Sequence, residues 1–346
     1  MKIRSLLSLL AVFLVSLIVA VSCTFPQPPT STTSPSAVST NQSIRLGFNN
    51  WPSFLYMQVA EESEIFNQNN VNVDLIFYDY AKSLQALKEG KIEANFHGLS
   101  DTIKMIDGNS NFNPVIVLTT DVSNGGDAMI VQKEIKQMAD LKNKKVAVEK
   151  GEINHYFLLL ALEKAGMSEA DIKLESLDTR AAVAAFVESQ VDAVVLALPY
   201  TKEALKRAGS QVLVSTKDFP QAIPAHLVVD RKLIEERRSD VQALVNTWFA
   251  TLNFVRQNPE SSYKIMADYM GVSVSEFKGY ESEIKFFSAE ENLRAFNSGS
   301  DLTSLPYAAK ELSNFLLNAG MIKQKPDISQ LFDSSFVEAY ANSLNK

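Results

Sequence analysis

Four carboxylates, Asp79, Asp101, Asp127 and Glu149, recur where short β-type runs end or begin, and no Lys or Arg shares those places. Open α/β sheets bind their solutes at the carboxyl ends of strands. Buried charge has to be paired. An acidic ring there predicts a cationic or amine-bearing solute, unless Arg180, the one basic residue near a strand end, turns inward. Trp51 follows the first such run, among Asn49, Asn50 and Pro52. Its ring is either a flat wall that attracts a cation or a lock in the core. Asn124 and Asp127 belong to the stretch Ser123-Asn-Gly-Gly-Asp127 and stand either against a solute or in a turn. Ser100 or Asp101 equally suits a helix cap. The loop Glu149-Lys-Gly-Glu-Ile-Asn-His155 opens a helix, whose N-terminus suits an anion. Glu149 and Glu152 would repel that anion, or they simply complement the helix dipole. Asn154 and His155 can donate to a solute or cap the helix. Tyr200 joins an apolar face to a hydroxyl, or packs under a hinge. The candidate ligand-binding set is Trp51, Asp79, Asp101, Asn124, Asp127, Glu149, His155 and Tyr200. His97, His155 and His226 lie far apart and form no metal motif, and no cofactor is implied.

The elements that must place these residues alternate. Strand-type runs cover 43–48, 71–78, 92–96 and 114–120, with helical spacing at 52–62, 81–88 and 101–105. A second series has strands at 127–131, 145–148, 172–177, 193–196 and 212–214, with a long helix over 153–165. Residues 225–230 bring the chain back, and helices follow at 240–256, 260–269, 274–282 and 305–318. The stripe Val241, Leu244, Val245, Trp248 and Leu252 predicts one buried helix face. Strands alternating with helices predict largely parallel sheets in two α/β lobes, the second inserted into the first, with a helical C-terminal part. The expected organisation is 44–122 with 226–346 as lobe I and 123–225 as lobe II. The solute then sits in the gap between them.

Cys23 is the only cysteine of the 346 residues, which excludes an internal disulfide. It follows Lys2, Arg4 and an apolar run over 6–21, the composition of an export leader. Its surroundings resemble the lipobox of bacterial lipoproteins, with Ala20 where leucine is commoner and a bulkier Val21. That resemblance implies cleavage after residue 22, lipidation of Cys23 and an anchor in the bacterial membrane; the alternatives are an ordinary leader or an uncleaved anchor. Residues 23–43 carry no charge, are rich in Pro, Ser and Thr, and read as a flexible linker with a reach on the order of 25 Å. Without Lys2 and Arg4 the formal charge of −7 becomes −9, which argues against nucleic acid as a partner.

Five segments, in order, resemble one family. They are Gly47-Phe-Asn-Asn-Trp-Pro52, Leu84-Gln-Ala-Leu-Lys-Glu-Gly90, Asp121-Val-Ser-Asn-Gly-Gly-Asp127, Asp140-Leu-Lys-Asn-Lys-Lys-Val-Ala-Val148 and Val191-Asp-Ala-Val-Val-Leu-Ala-Leu-Pro-Tyr200. The family is that of ABC-importer substrate-binding proteins, in the NMT1/pyrimidine-synthase-like branch with aliphatic sulfonate, taurine and nitrate binders. The resemblance implies a type II periplasmic-binding-protein-like body, monomeric, that delivers a small nitrogen- or sulfur-containing solute to a permease and its ATPase. The chain departs from the family where Trp-Glu commonly precedes Pro-Tyr: Ala197 and Leu198 stand there. Family name and side chains pull apart, toward nitrate or an alkanesulfonate on one side and an amine, guanidinium or taurine-like compound on the other. An enzyme of the related pyrimidine-precursor type needs a cysteine motif this chain lacks, and no nucleophile, P-loop or dinucleotide fingerprint appears. No enzymatic activity is expected. A surface sensor with the same body is the remaining alternative.

Overall fold

The computed structural model describes residues 42–107 and 112–344. The leader, Cys23 and nearly all of the linker lie outside the described residues. Eleven strands are described: β1 (Ile44–Phe48), β2 (Val73–Phe77), β3 (Ala94–Gly98), β4 (Pro114–Ser123), β5 (Asp127–Val131), β6 (Lys145–Val148), β7 (Lys173–Ser176), β8 (Ala193–Ala197), β9 (Gln211–Ser215), β10 (Pro224–Asp230) and β11 (Ile284–Phe286). They form two sheets, in the orders β11-β4-β10-β3-β1-β2 and β7-β6-β8-β5-β9. With helices packed on both, this is the two-lobed α/β architecture expected, with β5 to β9 inserted between β4 and β10.

The sheets are mixed, which corrects the expectation of largely parallel ones. β1 pairs parallel with β2 and β3, and β6 parallel with β7 and β8. β10 runs antiparallel between β3 and β4, and β5 antiparallel between β8 and β9. Both belong to the stretches of chain that cross between lobes, so each enters its sheet from the far side. β4 consequently does not close a βαβαβ unit beside β3, because β10 is wedged between them.

All ten residues of β4 are buried, the apolar run 114–118 and the polar Thr119, Thr120, Asp121 and Ser123 alike. The stripe Val241, Leu244, Val245, Trp248 and Leu252 is buried on the long helix Arg231–Gln257 and packs on lobe I. That helix bends at Arg237 (φ −142°, ψ 44°), whose guanidinium bonds Asp240 at 2.8 Å and the Ser43 and Gln42 carbonyls. One arginine thus ties the start of the body to its C-terminal helices. Strand β11 and the helices Ala289–Phe296 and Ser335–Ser343 complete the C-terminal part. Ser288 begins one of them with a reciprocal capping box to Glu291.

Where the chain crosses between β4 and β5, Ser123 Oγ lies 2.8 Å from Thr216 Oγ1 and accepts from the Asp127 amide at 3.0 Å. Thr216 also accepts from the Gly125 amide at 2.8 Å. Gly125 has φ +115°, a backbone state that side chains resist. The crossing is therefore held by hydroxyls rather than by bulk.

Candidate functional site

The parallel strands of both sheets end at one cavity of about 70 Å³. From lobe I it receives Asn49, Asn50, Trp51 and Phe54 after β1, Tyr80 after β2, and His97 and Gly98 at the end of β3. From lobe II come Asp127 at the start of β5, Glu149 after β6, Glu152 to Asn154 at the next helix, Thr179 after β7, Ala197 at the end of β8, and Leu198 and Tyr200 after it. Strand ends converge because each parallel strand turns there into its helix.

Trp51 serves both purposes read for it. Its ring is 9% exposed and lines the cavity, while its indole N–H donates to Asp121 at 3.0 Å. Asp121, fully buried, also accepts from Ser53 at 2.6 Å and Thr120 at 2.8 Å. Burial pushes the Asp121 carboxyl up, against those three donors. The wall is thus fixed before any solute arrives.

Asp127 is 2% exposed. Its Oδ1 accepts from Asn154 at 3.2 Å, and its Oδ2 has no partner among the described residues. Burial pushes its pKa up to about 7, opposed by the Ser123 and Asn154 contacts and helped by the charge of Asp121. Glu149 accepts from Thr179 at 2.8 Å and is raised by burial. Glu152 is raised by burial first and by Asp101 second. Three acids therefore line the cavity, and among the described residues no Lys or Arg does.

The lobes also touch around this cavity. Asn50 donates to the Tyr200 hydroxyl at 3.1 Å. Arg180 lies 3.4 Å from Asp79, with its guanidinium 5.8 Å from the centre of the Tyr200 ring. Lys104 donates to the Gly151 carbonyl and lies 3.6 Å from Glu152. A Cβ on Gly98 would meet Ile153 Cδ1 of the other lobe at 2.3 Å. A Gly98→Val variant is therefore expected to bind the solute roughly tenfold or more weakly, the cost of overpacking. Its radius of gyration with solute is expected to stay at the ligand-free value in solution scattering. Unchanged affinity would mean that Ile153 swings aside freely.

Of the sequence candidates, Trp51, Asp127, Glu149 and Tyr200 meet at the cavity. Asp79 stands outside it, in a vestibule of about 280 Å³ with Lys82 and Arg180. Burial opposes but does not cancel the Lys82 contact, which comes first in holding Asp79 below its usual range, with Arg180 after it. Three candidates lie away from the cavity. Asp101 is buried but does not line the cavity; it takes the Tyr80 hydroxyl and an ion pair with Lys104 at 2.6 Å. Asn124 is exposed, held by its backbone amide to the Glu283 carbonyl at 2.9 Å. His155 points away: its Nδ1 accepts from the Gly151 amide at 3.2 Å and its Nε2 meets Glu169 at 2.8 Å. Asn154 takes the cavity face instead, since consecutive helix residues differ by about 100°. Arg180 is spent at the rim and does not turn into the cavity.

Asn49, Tyr80, His97, Glu152, Asn154 and Thr179 line the cavity but were not chosen from sequence. Their signal was available: each lies within a few residues of a strand end, and His97 is polar in a wholly buried strand. Ala197 and Leu198, where the resembled family often has Trp-Glu, form an apolar wall. No group of three or more metal-ligating side chains exists among the described residues.

Residues 51–262 match the family model described as NMT1/THI5 like. A Brucella abortus protein named as a binding protein is 25% identical over 270 residues, 76% of this chain and 83% of that one. An Escherichia coli K12 protein named for binding aliphatic sulfonates is 34% identical over 146 residues, 42% of this chain and 46% of that one. The crystal structure of the periplasmic aliphatic sulphonate binding protein from Escherichia coli superposes with a TM-score of 0.69 at 22% identity. That match covers 84% of this chain and 92% of the other.

Proposed function

Because the chain belongs to the NMT1/THI5-like family, we propose that it is the solute-binding component of an ABC importer, exported and working outside the cytoplasm. It captures a small nitrogen- or sulfur-containing organic solute between its lobes and delivers it to a permease, without chemical turnover. One observation carries this reading: the cavity is walled by both lobes at their strand ends and holds buried polar atoms that find no partner among the described residues. The names of the relatives, binding proteins and sulfonate binders, support the same role. Lipid anchoring at Cys23, the lobe division at 122/123 and 225/226 and a monomeric state belong to this proposal. The intact mass of the mature chain, shifted by acyl groups on a peptide starting at Cys23, tests the anchor.

The solute of this proposal carries an amine or another cationic nitrogen. Asp127, Glu149 and Glu152 supply negative charge, and Trp51 supplies an aromatic wall. A second reading, nitrate or an alkanesulfonate, is favoured by the names of the Escherichia coli relatives and is the one the comparisons fit better. Calorimetric titration of the mature protein with ethylammonium, guanidinium, nitrate and ethanesulfonate separates them. Heat with the cations alone is the expected result. Tight binding of nitrate or ethanesulfonate with none for the cations ends the cationic reading and leaves the second. Solute uptake unaffected by deletion of the gene would replace transport by sensing.

A further inference from the structure

Three buried side chains that line the cavity each hold a polar atom without a partner among the described residues: Asn49 Nδ2, His97 Nε2 and Asp127 Oδ2. They are 3%, 0% and 2% exposed, so water does not satisfy them from bulk.

The identity of each atom follows from its neighbours. The Trp51 amide can only donate, so the Asn49 atom 2.9 Å from it is the carbonyl oxygen. The unpartnered Asn49 atom is therefore an N–H donor. Ser83 gives its hydroxyl proton to the Tyr80 carbonyl at 2.7 Å, so toward Asn95 it can only accept. The Asn95 atom at 3.0 Å from it is then the amide nitrogen. That same nitrogen lies 3.3 Å from His97 Nδ1, which must accept. Burial brings the His97 pKa down to about 4, so the ring is neutral and its single proton sits on Nε2. These three atoms are thus two neutral donors and one carboxylate acceptor, beside the carboxylates of Glu149 and Glu152.

We propose that Asn49 and His97 are specificity-determining residues that bind a hydrogen-bond acceptor of the solute, so that the ligand carries a carbonyl or sulfonate oxygen close to its amine. This rests on the amine reading of Asp127. The two groups of the ligand have to be near each other, because the cavity is small. A site built around fixed donors discriminates strongly against an analogue lacking the acceptor, since the donors are then buried unpaired.

The test is a set of four probes read by calorimetry and thermal shift: glycinamide, taurine, ethylamine and ethanesulfonate. Glycinamide or taurine, whichever acceptor fits, is expected to bind at least tenfold more tightly than either single-ended probe. Asn49→Ala and His97→Phe are each expected to abolish the preference over ethylamine, and His97→Gln, which keeps a donor, to retain part of it. Should His97→Phe fail to fold, Asn49→Ala carries the comparison. Ethylamine binding as tightly as the two-ended probes overturns this inference and leaves the amine reading standing. A preference that survives in Asn49→Ala also overturns it alone. Ethanesulfonate binding more tightly than every amine, or silence from all four probes, overturns both.

Discussion

An Asp127→Asn variant is expected to lose about 10- to 100-fold in affinity for an amine solute, the worth of a charge-assisted hydrogen bond of roughly 1.5–3 kcal/mol. The same variant is expected to be more stable than the parent without solute at pH 8. The sign follows from the direction of the shift. The folded pKa of Asp127, about 7, lies above the 3.8 of the free side chain. The folded state therefore holds its proton longer than the unfolded one, and stability falls as pH rises between those values. Above pH 7 the penalty is complete, on the order of 4 kcal/mol. Asparagine keeps the contact with Asn154 and carries no charge to desolvate. The site thus trades folding stability for a poised carboxylate. Affinity for an amine in the parent protein is also expected to weaken by up to about tenfold per pH unit below 7, as Asp127 takes up its proton. Glu149 and Glu152, both raised by burial, add to that trend. Titrations from pH 5 to 8 measure it. Affinity that instead rises as the pH falls would identify an anionic solute and sink the charge argument.

The lobes were legible because apolar runs are hard to disguise. β4 and β6 read as strands from short runs rich in valine and isoleucine, and the Val241 to Leu252 stripe read as a buried helix face. Strand direction was not legible. Alternation of strands and helices carries no record of a chain that leaves one sheet and re-enters it, so β10 between β3 and β4 had to be seen. The three-residue β11 is too short to show any period. At the site, strand-end logic found the neighbourhood, and in places stood a residue or two from the cavity lining. It chose His155 over Asn154, and Asp79 over Tyr80. Residues beside a strand end share an address in the sequence, but which of them turns inward depends on helix phase and on what fills the other lobe. The two donors on Asn49 and His97 were hidden for a further reason. Their role depends on Trp51, Ser83 and Asn95 consuming the opposite ends of the same polar groups.

The largest effect on stability is expected at Lys104, not in the cavity. Lys104 is mostly buried and pairs with Asp101, whose side chain is 1% exposed, across one turn of the helix Leu99–Asp107. It also reaches over to lobe II, at the Gly151 carbonyl and Glu152. Asp101 and Glu152 both draw the Lys104 pKa up against its own burial. Replacing it by methionine keeps the aliphatic stem but leaves Asp101 buried without its cation, at about 3–5 kcal/mol. An Asp101→Asn change on its own is milder, because asparagine still accepts from the Tyr80 hydroxyl. Combining the two is expected to restore more than half of what Lys104→Met loses, since the neutral amide no longer needs a counter-charge. Urea unfolding of the four proteins gives the coupling directly. If Lys104→Met lies within about 0.5 kcal/mol of the parent, water or movement of the helix compensates Asp101, and the pair holds nothing. The cross-lobe contacts make a second, separable expectation. Lys104→Met shifts the ligand-free protein toward the open form, whereas Asp101→Asn does not, because only the lysine touches both lobes. An Asp101 variant that opened the cleft equally would place the latch elsewhere, with Asn50 and Tyr200 the next pair to change.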